Sequence, residues 1–217
     1  IYLFNTGISN FLSVEYAFKE LNYQVKKISN FEDITEESLL VVPGVGHFDN
    51  IMHKLEESNF QNIRSLIDDK KLNFLGICLG MQILFDDSSE GNKRGLGLLE
   101  GSVKKLTDRF YDDEYISTNV GWRKVIFEQQ EKFSQFNNNF FYFVHQYEAV
   151  PKNENDIIAY TQKFNKNIVA AVKKENICGI QFHPEKSGQN GIKFLNSLIK
   201  GFYAVSYTHL RAHETGY

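Results

Sequence analysis

The consecutive residues Leu39-Leu40-Val41-Val42 constrain the fold of this chain more than any other segment. An apolar run without polar alternation belongs in a strand covered on both faces, and the usual setting for such a strand is a parallel sheet sandwiched between helices. The neighbouring sequence supplies those helices. Phe11, Val14, Ala17, Phe18 and Leu21 recur at helical spacing over 11–21, with Asn10 placed to cap the N-terminus, and 51–59 and 63–70 also read as helices. Strands are expected over 2–4, 25–28, 39–42 and 73–77, with a helix over 79–85. Strand signals then dominate, over 103–106, 124–127, 140–147, 157–161, 168–172 and 177–182. A last helix is expected over 191–201, carrying Ile192, Leu195, Leu198 and Ile199 on one side. The expected fold class is α/β: a mostly parallel central sheet flanked by helices, with additional antiparallel strands from the second half.

With 217 residues, 42% of them hydrophobic, the chain can bury a sizeable core without covalent staples. Lys and Arg number 24 against 27 Asp and Glu, a net charge of −3, and the signs are interspersed. That pattern argues against a nucleic-acid partner, which leaves a clustered basic footprint. The two cysteines, Cys78 and Cys178, form neither a disulfide framework nor a metal-ligand spacing, so the expectation is a reducing cytoplasm and no metal or other cofactor. The apolar residues 1–4 are too few for a secretory signal, and no stretch is long enough to cross a membrane. One domain is expected over 1–203. Residues 204–217 lack apolar periodicity and are expected to be a non-native or disordered tail; His209 and His213 stand four apart but lack a third ligand of clear spacing.

Three segments carry the chemistry. In Gly76-Ile77-Cys78-Leu79-Gly80 a cysteine stands between two glycines where a buried strand meets a helix. This is the pattern of a nucleophile elbow, in which a tight turn holds the nucleophile above the end of the sheet. A sulfur there lies at the positive end of a helix dipole, and the Leu79 amide could donate to a developing oxyanion. On its own the pentapeptide suits a small core cysteine equally well. Cys178, in Ile177-Cys178-Gly179-Ile180 with no turn after it, reads as structural.

The second segment is Gln181-Phe182-His183-Pro184-Glu185, at a strand end. Residues two apart on a strand share a side, so Glu185 could orient the His183 ring and leave its other nitrogen for the cysteine proton. The third is Pro43-Gly44-Val45-Gly46-His47, a glycine-rich turn that could bring an N–H close to a ligand and supply a second oxyanion donor from Val45 or Gly46. An ordinary turn would look the same, but the segment lacks the spacing of a phosphate loop.

Together these segments, with Met81-Gln82 and Tyr142-Phe143-Val144-His145, resemble class I glutamine amidotransferases, and more narrowly the glutaminase subunits of imidazole glycerol phosphate synthases. The resemblance runs in order over about 1–202. It implies a Cys78, His183, Glu185 triad that hydrolyses L-glutamine to glutamate and ammonia through a glutamyl thioester. It implies glutamine contacts from Gly46, His47, Gln82, Glu90, His145 and Gln146. Gln82 has its own rationale, being one helical turn beyond Cys78; Glu90 could pair with the substrate ammonium, although a solvated surface carboxylate would look alike. Asn10, Ser13, Trp122, Tyr142 and Lys186 are implied to face a partner. That partner is implied to be a (βα)8-barrel synthase subunit of histidine biosynthesis, joined in a heterodimer and fed through an ammonia channel. Two departures, Asn5-Thr6-Gly7-Ile8-Ser9-Asn10 and Thr118-Asn119-Val120, are expected near that interface, the second replacing a Pro-His-Met type of sequence. They keep open a glutaminase feeding a sugar-amidating barrel enzyme, and a γ-glutamyl cysteine hydrolase is a further alternative.

Overall fold

A computed structural model describes residues 1–7, 11–34, 38–110, 117–128 and 131–214; Asn10, with its expected cap and interface roles, lies outside the described residues. The strands are β1 (Tyr2–Phe4), β2 (Lys26–Ile28), β3 (Ser38–Gly44), β4 (Leu72–Cys78), β5 (Asp87–Ser88), β6 (Gly101–Lys105), β7 (Asn119–Phe127), β8 (Phe140–His145), β9 (Tyr147–Pro151), β10 (Ile157–Lys163), β11 (Lys166–Lys174) and β12 (Ile177–Ile180). The helices are α1 (Phe11–Glu20), α2 (Phe48–Glu57), α3 (Gln61–Asp68), α4 (Leu79–Gln82), α5 (Leu106–Arg109) and α6 (Gly188–Glu214). Among the described residues a nine-stranded sheet runs β2-β1-β3-β4-β12-β11-β10-β7-β8. The pairings from β2 across to β12 are parallel, and those from β12 out to β8 are antiparallel. The antiparallel extension comes from the second half of the chain, as expected. A separate sheet, β5-β6-β9, stands beside it.

Alternation along the apolar strands builds two cores. Leu39, Val41, Leu75 and Ile77 point to one face, where α1 and α6 close over them with Val14, Phe18, Phe194, Leu195, Leu198 and Ile199. Leu40, Val42 and Phe74 point to the other, covered by α2, α3 and the small sheet through Ile51, Leu55, Ile63, Val103 and Ala149. The run at 39–42 is apolar throughout because each residue faces a covered side.

Several segments differ from expectation, four of them in ways that bear on the sheets and the last helix. First, β3 continues through Pro43 and Gly44, which pair with Ile77 and Cys78, because β1 reaches only Val41 and leaves the Pro43 nitrogen no ladder partner to lose. Second, the segment 140–147 is two strands: the chain breaks at Gln146 and passes from the large sheet to the small one. Third, β12 stops at Ile180. Fourth, α6 spans Gly188–Glu214, longer at both ends than its apolar periodicity.

Glu148 ties the two sheets together. Buried on β9, its Oε1 accepts from the Val169 amide of β11 at 2.8 Å, beyond the end of β12's pairing with that strand. Its Oε2 accepts no hydrogen bond among the described residues, and Arg109 Nε stands 3.8 Å away. Burial raises its pKa from 4.5 to about 7, against the pull of the Val169 amide and Arg109. A carboxyl whose folded value lies above its unfolded one stabilises fully below the unfolded pKa and loses that contribution as pH rises through the folded one. Stability should therefore fall between about pH 4.5 and 7 by about 3 kcal/mol. Glu148→Gln should abolish that slope and be the more stable protein at pH 8, as chemical denaturation at the two pH values will show.

Candidate active site

Cys78 ends β4 and precedes α4 with φ 56° and ψ −110°, a backbone conformation that costs a non-glycine residue energy and turns its side chain out from the sheet end. The flanking glycines serve close approach rather than the turn itself. A Cβ on Gly76 would stand 2.1 Å from the Gly80 carbonyl oxygen, and one on Gly80 would stand 1.8 Å from that of Val42. The strain falls on the cysteine, and the glycines allow β3, β4 and α4 to crowd beneath it. The helix that follows is only Leu79–Gln82, a single turn where 79–85 is expected, so its dipole contributes little at the sulfur.

The electrostatic partner of that sulfur is His183, whose charged form a negative charge on Cys78 favours. His183 lies at the N-terminal boundary of a 3-10 turn, Pro184–Lys186, rather than on β12. The turn brings Glu185 Oε1 to 2.7 Å from His183 Nδ1, and both side chains are fully buried. A closed ring of hydrogen bonds fixes it. The His183 amide donates to the Tyr142 carbonyl at 2.8 Å, the Tyr142 amide donates to Ser187 Oγ at 3.0 Å, and Ser187 Oγ donates to the His183 carbonyl at 2.6 Å. Burial alone lowers the imidazole pKa. The Cys78 anion and its hydrogen bond, together with Glu185, outweigh it and push His183 up to about 10. His183 is thus held in its protonated, imidazolium form at neutral pH. Cys178 has no such surroundings; burial pushes its thiol up to about 12.

Beside Cys78 opens a cavity of ≈ 330 Å³ lined by Val45, Gly46, Leu79, Gln82, Glu90, Thr118, Val120, Val144, His145, Gln146 and Tyr147. It collects most of the residues expected to contact glutamine. Gln82 is buried, with Nε2 donating to the Tyr147 carbonyl and to Gln181 Oε1, each at 3.1 Å. Half-buried Glu90 accepts from the Phe48 amide at the start of α2 at 2.9 Å, and burial raises its pKa against that bond. His47 is not in the lining: exposed, it caps α2 by accepting from the Asp49 amide at 3.2 Å. His183 and Glu185 are not in the lining either. Sequence reading passed over Gln181, whose Nε2 donates to Cys78 Sγ at 3.6 Å. Its signal was available, since it stands two residues before His183 and is polar in an otherwise apolar strand end.

Of the residues expected at an interface, Ser13, Trp122 and Lys186 are exposed and Tyr142 is half-buried. Trp122 and Tyr142 are cross-strand partners in edge-to-face contact, 6.0 Å between centroids. In the segment Thr118-Asn119-Val120 the Asn119 side chain points inward, fully buried, and meets His145, while Val120 is exposed.

The family profile for "Glutamine amidotransferase class-I" matches residues 2–200. The chain belongs to the class I glutamine amidotransferase family. Relatives within it include the imidazole glycerol phosphate synthase subunit HisH of Prochlorococcus marinus, 37% identical over 203 residues that cover 91% of this chain and 92% of the relative. The same-named subunits of Leptospira interrogans and Staphylococcus aureus are each 36% identical, covering 88% and 93% of this chain and 95% and 97% of theirs. Among solved structures, PurLQS from Thermotoga maritima superposes with a TM-score of 0.71 over 92% of this chain and 96% of the other at 16% identity, which shows the shared fold. A further glutamine amidotransferase crystal structure gives 0.67 at 17% identity, covering 93% and 96%.

Proposed function

We propose that this amidotransferase is the glutaminase subunit of an imidazole glycerol phosphate synthase, with Cys78, His183 and Glu185 as its catalytic residues. The observation that carries the reading is the Cys78 sulfur, electrostatically coupled to His183 and presented to a cavity lined by Gly46, Gln82 and Glu90. The thiolate attacks the side-chain amide carbon of glutamine. The amide oxygen gains the negative charge, and the Leu79 amide with one from Val45 or Gly46 stabilises it, each donor supplying about 3 kcal/mol. The C–N bond then breaks as the His183 imidazolium gives its proton to the departing nitrogen, releasing ammonia and leaving a glutamyl thioester. Neutral His183 next takes a proton from water, whose oxygen attacks the thioester; glutamate leaves and the thiolate returns. Glu185 holds the ring in register through both proton transfers.

Ammonia protonates in water and loses its nucleophilicity, so the product requires a sheltered acceptor. The outer face of the β7–β8 hairpin supports a docking surface beside the cavity. Val120, Trp122, Phe140 and Val144 are exposed there, and Val120 and Val144 also line the cavity wall. A cluster of exposed apolar side chains on an edge hairpin marks a protein interface. The reading is a (βα)8-barrel synthase subunit docked on this face in a cytoplasmic heterodimer with lyase activity, the ammonia passing directly between the subunits. Ser13, Trp122, Tyr142 and Lys186 are its contact residues, on the domain spanning 1–203. Similarity to HisH subunits over nine-tenths of the chain favours this pathway over the sugar-amidating and γ-glutamyl hydrolase alternatives.

Gly46 has φ 108°, where glycine alone moves freely, so the Val45–Gly46 peptide can exchange orientations at little cost. Docking that selects the donating orientation would raise turnover. Glutamine hydrolysis should be at least roughly 100-fold faster with the barrel subunit than for the chain alone, the scale of one oxyanion donor. Equal rates would refute the activation, and no hydrolysis with any histidine-pathway barrel subunit would refute the reading.

A further inference from the structure

The polar residues behind the cavity wall form one chain of hydrogen bonds whose polarity can be read from its ends. Arg123, which can only donate, gives its Nε–H to Asn119 Oδ1 at 3.2 Å. That contact fixes the Asn119 amide: Oδ1 faces Arg123, and the Nδ2 hydrogens face His145 Nε2 at 2.9 Å. The far side is equally determined. His145 Nδ1 is 2.8 Å from the Tyr147 carbonyl, which can only accept, so Nδ1 carries the hydrogen. A neutral ring with Nδ1–H has a bare Nε2, the acceptor that the Asn119 amide requires.

The consequences continue towards the sulfur. The Tyr147 carbonyl receives His145 Nδ1–H and Gln82 Nε2–H. Gln82 gives its other hydrogen to Gln181 Oε1, and Gln181 Nε2 donates to Cys78 Sγ. With both hydrogens of Gln82 committed, Oε1 is the atom it offers the cavity, an acceptor suited to an N–H of glutamine. Both nitrogens of His145 are likewise committed within the protein, so the ring cannot also bind substrate through them.

We infer that Asn119 is a positioning residue: by fixing His145 as the neutral Nδ1–H tautomer, it makes His145 a clamp on the Tyr147 carbonyl, and thereby sets the orientation in which Gln82 meets glutamine. This rests on the glutaminase reading for its substrate, but not for the tautomer. The charged and titratable groups bearing on His145 agree with it: Arg123 is spent on Asn119 and the Val120 carbonyl, while His183 and Lys163 both disfavour a second positive charge. Burial, the largest effect, holds the ring near a pKa of about 4 despite the Tyr147 bond.

The test has two arms. In the full chain labelled with nitrogen-15 histidine, His145 should show a protonated Nδ1 and a bare Nε2, unchanged between about pH 6 and 8, where an ordinary histidine titrates. In the complex with the barrel subunit, Asn119→Leu should raise the KM for glutamine roughly tenfold, the scale of one lost buried hydrogen bond, with a smaller change in kcat. Asn119→His, which can again donate an N–H, should restore KM to within about threefold. A protonated Nε2 in the unaltered chain, or an unchanged KM in folded Asn119→Leu, overturns the inference. Should Asn119→Leu fail to fold, the wild-type tautomer decides. A wild-type complex that hydrolyses no glutamine would defeat the glutaminase reading while the nitrogen spectrum still decides the tautomer.

Discussion

Cys78→Ala should abolish glutamine hydrolysis, lowering kcat by roughly 10⁴-fold or more, because among the described residues lining the cavity Cys78 alone carries a thiol and groups acting as a unit fail together. The substitution is structurally mild. Cys78 is buried with 5% exposure, its chain neighbours Ile77 and Leu79 are aliphatic, and alanine adds nothing to the crowded floor beneath the elbow. Its second effect separates loss of chemistry from loss of fold. The Cys78 anion is the leading force that lifts His183 against burial, so without it the histidine pKa should fall, with Glu185 alone left to hold it up. A proton titration of His183 in the folded variant, alongside an ammonia-release assay, checks both. Cys178→Ala is the control: that sulfur is fully buried on β12, two residues short of the sheet's edge at the site, and its thiol is pushed far from ionisation. Its loss should leave kcat within about twofold, since a buried unreactive thiol acts as a small hydrophobe.

Glu185→Gln should lower kcat by roughly 10²–10⁴-fold while leaving the KM for glutamine nearly unchanged, because Glu185 lies outside the cavity lining and acts only through His183. The amide preserves shape and can still accept from Nδ1, but it carries no charge to balance the imidazolium. Glu185 contributes to the rise of His183 both by hydrogen bond and by charge, so its replacement lowers the histidine pKa. The active pair exists only while His183 holds its proton, which in the wild type persists until pH rises through about 10. In the variant that limit moves down, and the alkaline limb of the pH profile of kcat/KM should shift to lower pH. An unmoved alkaline limb would show that Glu185 does not hold the imidazolium.

The Leu39 to Val42 run predicted a doubly covered strand because burial on both faces leaves a local trace in composition, and its residues do divide between the two cores. Cys78, His183 and Glu185 were legible because each stands in a short segment whose residue types do chemistry. Strand alternation was the wrong reason for the last pair: the Pro184–Lys186 turn brings Glu185 to His183, and the Ser187 and Tyr142 bonds that shape it come from residues 45 apart or within the turn. Long-range pairing of this kind has no periodicity to read. The break at Gln146 escaped notice for a similar reason, since 140–147 is apolar enough for one strand and only the docking of Tyr147 against β6 divides it. The segment Thr118-Asn119-Val120 was expected near an interface as a whole, but the pleat divides it, leaving Val120 exposed and sending the Asn119 side chain into His145.

The glutaminase proposed above requires the sulfur of Cys78 to carry the glutamyl group during turnover. Acid-quenching the complex during glutamine turnover and mapping the modified peptides by mass spectrometry tests it directly. A glutamyl adduct confined to the peptide containing Cys78, formed and discharged as fast as ammonia appears, is the expected result. An adduct on Cys178, or steady ammonia release with Cys78 unmodified throughout, would contradict it.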